Sequence, residues 1–134
     1  MAKNREIKFR FESLEIWQRA ADIAQKLFKI ADMFEEKKLY RFADQLRGAG
    51  LSMPNNIAEG SGSTSKKEFI QFLNIARRST FENASMIIIF ANEKLIANDI
   101  KDEVLKDLDE LCRMITSFSR SLNNSKEHRP RSLE

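Results

Sequence analysis

A chain of 134 residues that is 42% hydrophobic and 32% charged has material for one compact domain with a small core, and no apolar run in it approaches the roughly 18 residues that cross a bilayer. The lone Cys112 excludes an intramolecular disulfide framework, and the formal net charge of +3 is modest, so charge matters here through its distribution. The charged start MAKNREIKFRFESLE lacks an apolar signal-peptide core, so a cytoplasmic protein without membrane contact is expected.

Residues 1–12 read as a basic N-terminal segment, 13–123 as an antiparallel up-down four-helix bundle, and 124–134 as a polar tail. Helix one starts near Ser13: Ile16/Trp17, Ala20, Ile23/Ala24, Leu27, Ile30/Ala31 and Phe34 recur every three or four residues, the spacing of one helical face. Helix two carries Leu39, Phe42/Ala43, Leu46, Ala49/Gly50, Met53 and Ile57 in one register straight through Pro54. A loop has no reason to keep that register. The proline removes its own N–H and crowds the carbonyl of Gly50, so the expectation is one helix kinked at Pro54, ended by Gly60 in the left-handed conformation. Ser65-Lys66-Lys67-Glu68 has capping-box spacing and opens helix three, which runs through Phe69, Leu73, Ala76, Thr80, Asn83, Ile87 and Phe90 toward Leu95. Helix four, capped by Asn98 or Asp99, steps through Val104, Leu108, Leu111, Ile115, Phe118 and Leu122.

Catalysis finds little to work with. The only histidine, His128, lies in the polar tail, which removes the inward Glu-x-x-His pairs of di-iron bundles and all His-based general acid–base or nucleophile schemes. Glu59 and Glu82 are the remaining carboxylate pair, and hydrogen bonding to Asn55, Asn56 or backbone amides at the bend is the expected use of both. Cys112 and Trp17 are expected in the core. No catalytic residue, metal site or cofactor is expected, and the chain is read as a non-enzyme.

Charge says more. Lys37, Lys38, Arg41 and Arg47 outweigh Asp44, and Lys66, Lys67, Arg77 and Arg78 outweigh Glu68, so helices two and three each carry a +3 segment. Asp99, Asp102, Glu103, Asp107, Asp109 and Glu110 against Lys101, Lys106 and Arg113 leave helix four at −3. Basic faces of this kind attract a polyanion through counterion release, which makes Arg41, Arg47, Lys66, Lys67, Arg77 and Arg78 the candidate nucleic-acid contacts. No recognition motif accompanies them, so weak sequence specificity is expected.

The blocks LEIWQRA (14–20), QLRGAGLSMPNNIAEG (45–60) and FIQFLNIARRSTFE (69–82) resemble the 23S rRNA intervening-sequence protein family over about residues 10–120. Its most specific element here is Ser52, Pro54, Asn56, Ile57, Ala58, Glu59 and Gly60, with Glu82 in the third block. The resemblance implies an up-down bundle assembled as a ring, usually a pentamer. It also implies a relation to the accessory protein of diversity-generating retroelements, which binds a reverse transcriptase and nucleic acid. Gly48 stands where the family tends to carry a basic residue, and Arg78 where it favours glycine.

Helix three argues for self-association independently. At about 100° per residue, Phe69, Phe72, Leu73, Thr80, Asn83, Ile87 and Phe90 share the core direction of Ala76, while Ile70, Phe81 and Ile88 form a second stripe about 120–140° away. A lone four-helix bundle leaves such a stripe in water, so Ile70, Phe81 and Ile88 are the candidate subunit interface. The expected function is therefore a homo-oligomeric bundle that binds RNA, DNA or a nucleic-acid-processing partner such as a reverse transcriptase; the alternative is a protein-binding adaptor without nucleic acid.

Overall fold

The computed structural model describes residues 5–125; His128, Pro130 and most of the polar tail lie outside the described residues. A 3-10 turn (Arg10–Ser13) leads into four helices, α1 (Glu15–Glu36), α2 (Tyr40–Ser61), α3 (Lys66–Asn92) and α4 (Asn98–Asn124). The described residues form no strand.

Consecutive helices pack side by side, and the contacts between them give the antiparallel register. Between α1 and α2, Arg47 reaches back to Asp32 and Glu35, both at 2.7 Å, while Gly50 lies against Leu27 and Ala24. Between α2 and α3, Ser52 meets Ser79 and the carbonyl of Ala49 meets Asn83. Between α3 and α4, Arg77 meets Thr116 at 3.2 Å, and the Lys66 ammonium donates to the carbonyls of Asn123 and Ser125. The fourth seam, α4 on α1, is bridged by charge: Arg19 pairs with Glu110, and Lys26 donates to Glu103 at 2.9 Å and Asp107 at 2.6 Å.

The apolar periodicity of the sequence is the core. Ile16, Ala20, Ile23, Leu27, Ile30 and Phe34 of α1 are buried, as are Val104, Leu108, Leu111 and Ile115 of α4. Phe34 and Phe90 meet edge to face with centroids 4.9 Å apart, an arrangement that suits the aromatic quadrupole. Cys112, expected in the core, is only half-buried, and Trp17 is half-buried at the core's edge, packed against the core cluster and with its ring 4.9 Å from that of Phe11.

Helix α2 passes through Pro54, which is buried, without interruption, so the segment from Gly48 to Gly60 is helix and not loop. Restoring the missing N–H should straighten any bend the proline imposes. Pro54→Ala is therefore expected to redirect the last two turns of α2, and crystal structures of both forms check it; superposition through Gly60 would remove the proline from that role.

Helix ends depart from the sequence reading in three places. Gly60 does not end α2: the helix continues to Ser61, Gly62 caps it at φ −87°, and no described glycine has positive φ. The left-handed residues are Lys38 (φ 63°) and Lys94 (φ 62°). Each sits in the same closure, Leu39 N–H to Phe34 C=O and Lys38 N–H to Glu35 C=O after α1, Leu95 N–H to Phe90 C=O and Lys94 N–H to Ala91 C=O after α3. That closure stops α3 at Asn92, short of Leu95. Neither Asn98 nor Asp99 caps α4; Ala97 holds the cap position, and Asp99 accepts only from the adjacent Ile100 N–H at 3.0 Å. Ser65 does cap α3, accepting from Glu68 N–H at 3.1 Å.

The Lys26 cluster gives the α1–α4 seam a pH dependence. Hydrogen bonds to Asp107 and then Glu103 hold the ammonium above its usual value of 10.5. Because the folded-state value is raised, the stabilisation is complete below about pH 10.5 and is lost as pH rises through the higher folded value. The group is partly exposed, so the loss should stay within about 1 kcal/mol. Lys26→Gln should flatten the alkaline limb of a stability–pH profile measured by urea unfolding.

Candidate functional site

Three surfaces follow from this packing: a polar seam between α2 and α3, a set of basic side chains, and an apolar groove between α3 and α4.

The polar seam accounts for part of the Ser-x-Pro-x-Asn block. The Asn56 amide donates to Ser52 C=O at 2.7 Å and Ser52 Oγ at 3.1 Å, and Ser52 Oγ lies 2.8 Å from Ser79 Oγ. Asn83, fully buried, donates to Ala49 C=O at 2.9 Å and Ser79 C=O at 2.8 Å. Its Oδ1 is the one buried side-chain polar atom without a partner among the described residues. Buried amides are costly unless bonded, so this network fixes the axial register of α2 on α3 rather than forming a reactive centre. Ser52, Ser79 and Asn83 as a unit were not found from the sequence, although a serine and an asparagine at core-facing positions of an apolar helix are a signal for such a seam.

Glu59 and Glu82 do not join it. Both are exposed, neither has a hydrogen bond or ion pair within the described residues, and Asn56 turns to Ser52 instead. The Ser52–Ser79 register puts Glu82 about ten positions from the level of Glu59, roughly 15 Å along the bundle, so they are not a carboxylate pair. Among the described residues no three His, Cys, Asp or Glu side chains gather as a metal site.

The six basic candidates divide. Arg47 is held by Asp32 and Glu35, which raise its already high pKa. Lys66 caps the end of α4, and Arg77 bridges to Thr116 while its guanidinium lies 5.4 Å from the Phe81 ring centroid. Arg41, Lys67 and Arg78 are exposed and make no ion pair within the described residues. Lys67 and Arg78, eleven residues apart, fall about 20° apart on the outer face of α3 and roughly 16 Å along it. Arg41 sits near the level of Phe90, about 18 Å beyond Arg78. The basic residues are thus strung along the bundle, not gathered into a patch.

The groove lies on the stripe read from helix three. Phe81 is 60% exposed and Ile88 42%, with Ile89, not singled out from the sequence, at 54%. Ile70 is half-buried at the other end of the same seam. Phe81, Ile88 and Ile89 of α3 face Leu105, Leu108 and Cys112 of α4 across a groove of about 450 Å³, with Asp109 on its rim. Such contiguous apolar exposure marks an interaction surface more often than isolated surface hydrophobes do.

The family model described as 23S rRNA-intervening sequence protein matches residues 12–117. Among solved structures, a protein of unknown function from the S23 ribosomal protein family of Bacteroides thetaiotaomicron VPI-5482 superposes with a TM-score of 0.75 at 20% identity, covering 78% of this chain and 98% of that one. At that identity the likeness shows the fold alone. Among curated proteins none matches. No described helix is long and apolar enough to cross a membrane.

Proposed function

The chain belongs to the 23S rRNA-intervening sequence protein family, and we propose that it works as a non-enzymatic homo-oligomer, assembled along the α3–α4 groove, whose repeated basic side chains hold RNA or DNA by the phosphates. The observation that carries the reading is the exposed Phe81–Ile88–Ile89 face over the groove, which a lone bundle leaves wet. A ring, with five subunits as the favoured number, buries that face once per subunit.

Assembly also answers the weakness of the basic set. Arg41, Lys67 and Arg78 are too few and too spread in one chain for firm phosphate binding, but a ring repeats them at fixed spacing. Light scattering should give a mass several times 15.6 kDa. A parent that runs as a monomer at micromolar concentration would overturn the assembly.

Retention on RNA or single-stranded DNA should fall steeply between 50 and 200 mM salt, and Arg41→Gln/Lys67→Gln/Arg78→Gln should weaken it at least tenfold with helix content unchanged. Undiminished retention in the variant would remove Arg41, Lys67 and Arg78 from the contact, and no retention in the parent favours the second reading, an adaptor for a protein partner without nucleic acid. The internal engagement of Arg47, Lys66 and Arg77 is the observation that speaks for it.

A further inference from the structure

We propose that the seam between α3 and α4, at the end of the bundle where α4 finishes, clamps a backbone phosphate of single-stranded RNA or DNA between Arg77 and Arg120, a contact that rests on the nucleic-acid reading and gives it a place.

Helical spacing builds the cleft. On α3, Lys66, Ile70, Asn74 and Arg77 fall within about 50° of one direction, and on α4 so do Thr116, Ser119, Arg120 and Asn123. The antiparallel register sets Arg77 beside Thr116, with Nε donating to Thr116 Oγ1 at 3.2 Å, so Asn74 lies one turn on, near the level of Ser119 and Arg120. Between the two rows is a cleft of about 450 Å³, within the range of about 300–1,000 Å³ that small-ligand sites occupy.

Its cations are held in place without being neutralised. Arg77 spends only Nε on Thr116, whose own hydroxyl donates to Cys112 C=O at 2.9 Å, and the Phe81 ring stands 5.4 Å from its Cζ. The two terminal amino groups of that fork have no hydrogen bond among the described residues. Arg120 is exposed and has neither a hydrogen bond nor an ion pair there. Lys66, at the foot of the seam, donates to the carbonyls of Asn123 and Ser125, neutral acceptors that leave its charge standing.

Carboxylates are elsewhere. Glu68 and Glu82, the acids of α3, lie about 180° and 140° around the helix from Arg77, and the acids of α4 stop at Glu110, about 15 Å before Arg120. Glu103, Asp107 and Glu110 are taken by Lys26 and Arg19, and Asp109 by Arg113. The acidity of α4 is thus confined to its other half.

A cleft with a guanidinium on each wall and no carboxylate selects an anion, and two forks favour phosphate. One fork satisfies the two coplanar oxygens of a carboxylate, whereas the tetrahedral phosphodiester turns its non-bridging oxygens toward both walls. The side chains of Asn74, Ser119 and Asn123 have no hydrogen bond among the described residues and stand along the seam where the adjoining sugar or base would lie. A single strand can bring those groups in with its phosphate, while a duplex keeps its bases stacked inside.

Arg77→Gln/Arg120→Gln should weaken binding of a short fluorescent single-stranded RNA, read by anisotropy, at least about tenfold, and lower the slope of log affinity against log salt by about 0.7, the share of one single-strand phosphate. Arg113→Gln removes a charge that Asp109 already holds and should stay within about twofold of the parent. Thr116→Val keeps every charge but releases the Arg77 fork, so affinity should fall about threefold with the salt slope unchanged. All variants should keep the parent's light-scattering mass and helix content. If the parent itself does not bind, the nucleic-acid reading falls and this contact with it. If the parent binds and Arg77→Gln/Arg120→Gln binds equally well, this contact alone is overturned. A fall in mass together with affinity would make the seam a subunit contact and overturn it as well.

Discussion

Gly60→Ala should destabilise the protein by about 1–3 kcal/mol, while Gly48→Ala, the same change twelve residues earlier in the same helix, should stabilise it by about 0.5–1 kcal/mol. A Cβ on Gly60 would stand 2.8 Å from Phe69 Cδ1 and 2.9 Å from Phe72 Cβ, closer than atoms pack. Phe69 is 1% exposed and its ring packs at a tilt against Phe118, centroids 5.7 Å apart, so retreat from the new Cβ must displace packed neighbours. The α2–α3 connection must then splay, and the overpacking exceeds the gain in helix propensity. Gly48 faces open space, with nothing within 4 Å of where an added Cβ would stand, so only the backbone-entropy gain remains. At roughly 3–5 °C per kcal/mol for a domain of this size, thermal unfolding should move the two variants to opposite sides of the parent. A Gly60→Ala variant as stable as the parent would show that Phe69 yields at no cost.

The Gly60 contrast also shows where the sequence was legible and where it was not. Core positions were readable because burial imposes the helical period directly, and the register that runs through Pro54 identified α2 as helix. Gly60 was marked as special for the wrong reason: sequence alone does not distinguish a glycine needed for left-handed backbone from one needed for the close approach of a neighbouring helix. The left-handed positions went to Lys38 and Lys94, which carry no such signal, because the paired Phe34–Leu39 and Phe90–Leu95 closures hold them there. Charge was legible as count but not as availability. Arg47, Lys66 and Arg77 look like Arg41, Lys67 and Arg78 in the sequence, and only packing shows that the first three already have partners. The Ile70–Phe81–Ile88 stripe was readable as geometry on one helix, whereas Ile89 and the α4 wall needed the neighbouring helix in place.

Phe81→Glu should convert the assembly to single chains of 15.6 kDa at micromolar concentration. In the isolated bundle the substitution is benign: Phe81 is 60% exposed, it contributes little to the core, and glutamate has a higher helix propensity than phenylalanine. In an interface it does two things at once. It removes the roughly 1.5–3 kcal/mol that burying the ring contributes, and it places a carboxylate in an apolar groove whose rim already carries Asp109. Together these amount to several kcal/mol per contact, and each 1.4 kcal/mol weakens association tenfold, so a contact of micromolar strength moves beyond reach. Ile75→Glu is the matching control. Ile75 is 42% exposed on the same helix but lies about 120° around it from Phe81, toward α2, so its variant should keep the parent mass. Loss of mass in both variants would point to a general solubility effect of charge. Loss in neither, from an oligomeric parent, would place the contact on a different face. Loss in Phe81→Glu alone, with unchanged helix content, assigns the subunit contact to the α3–α4 groove.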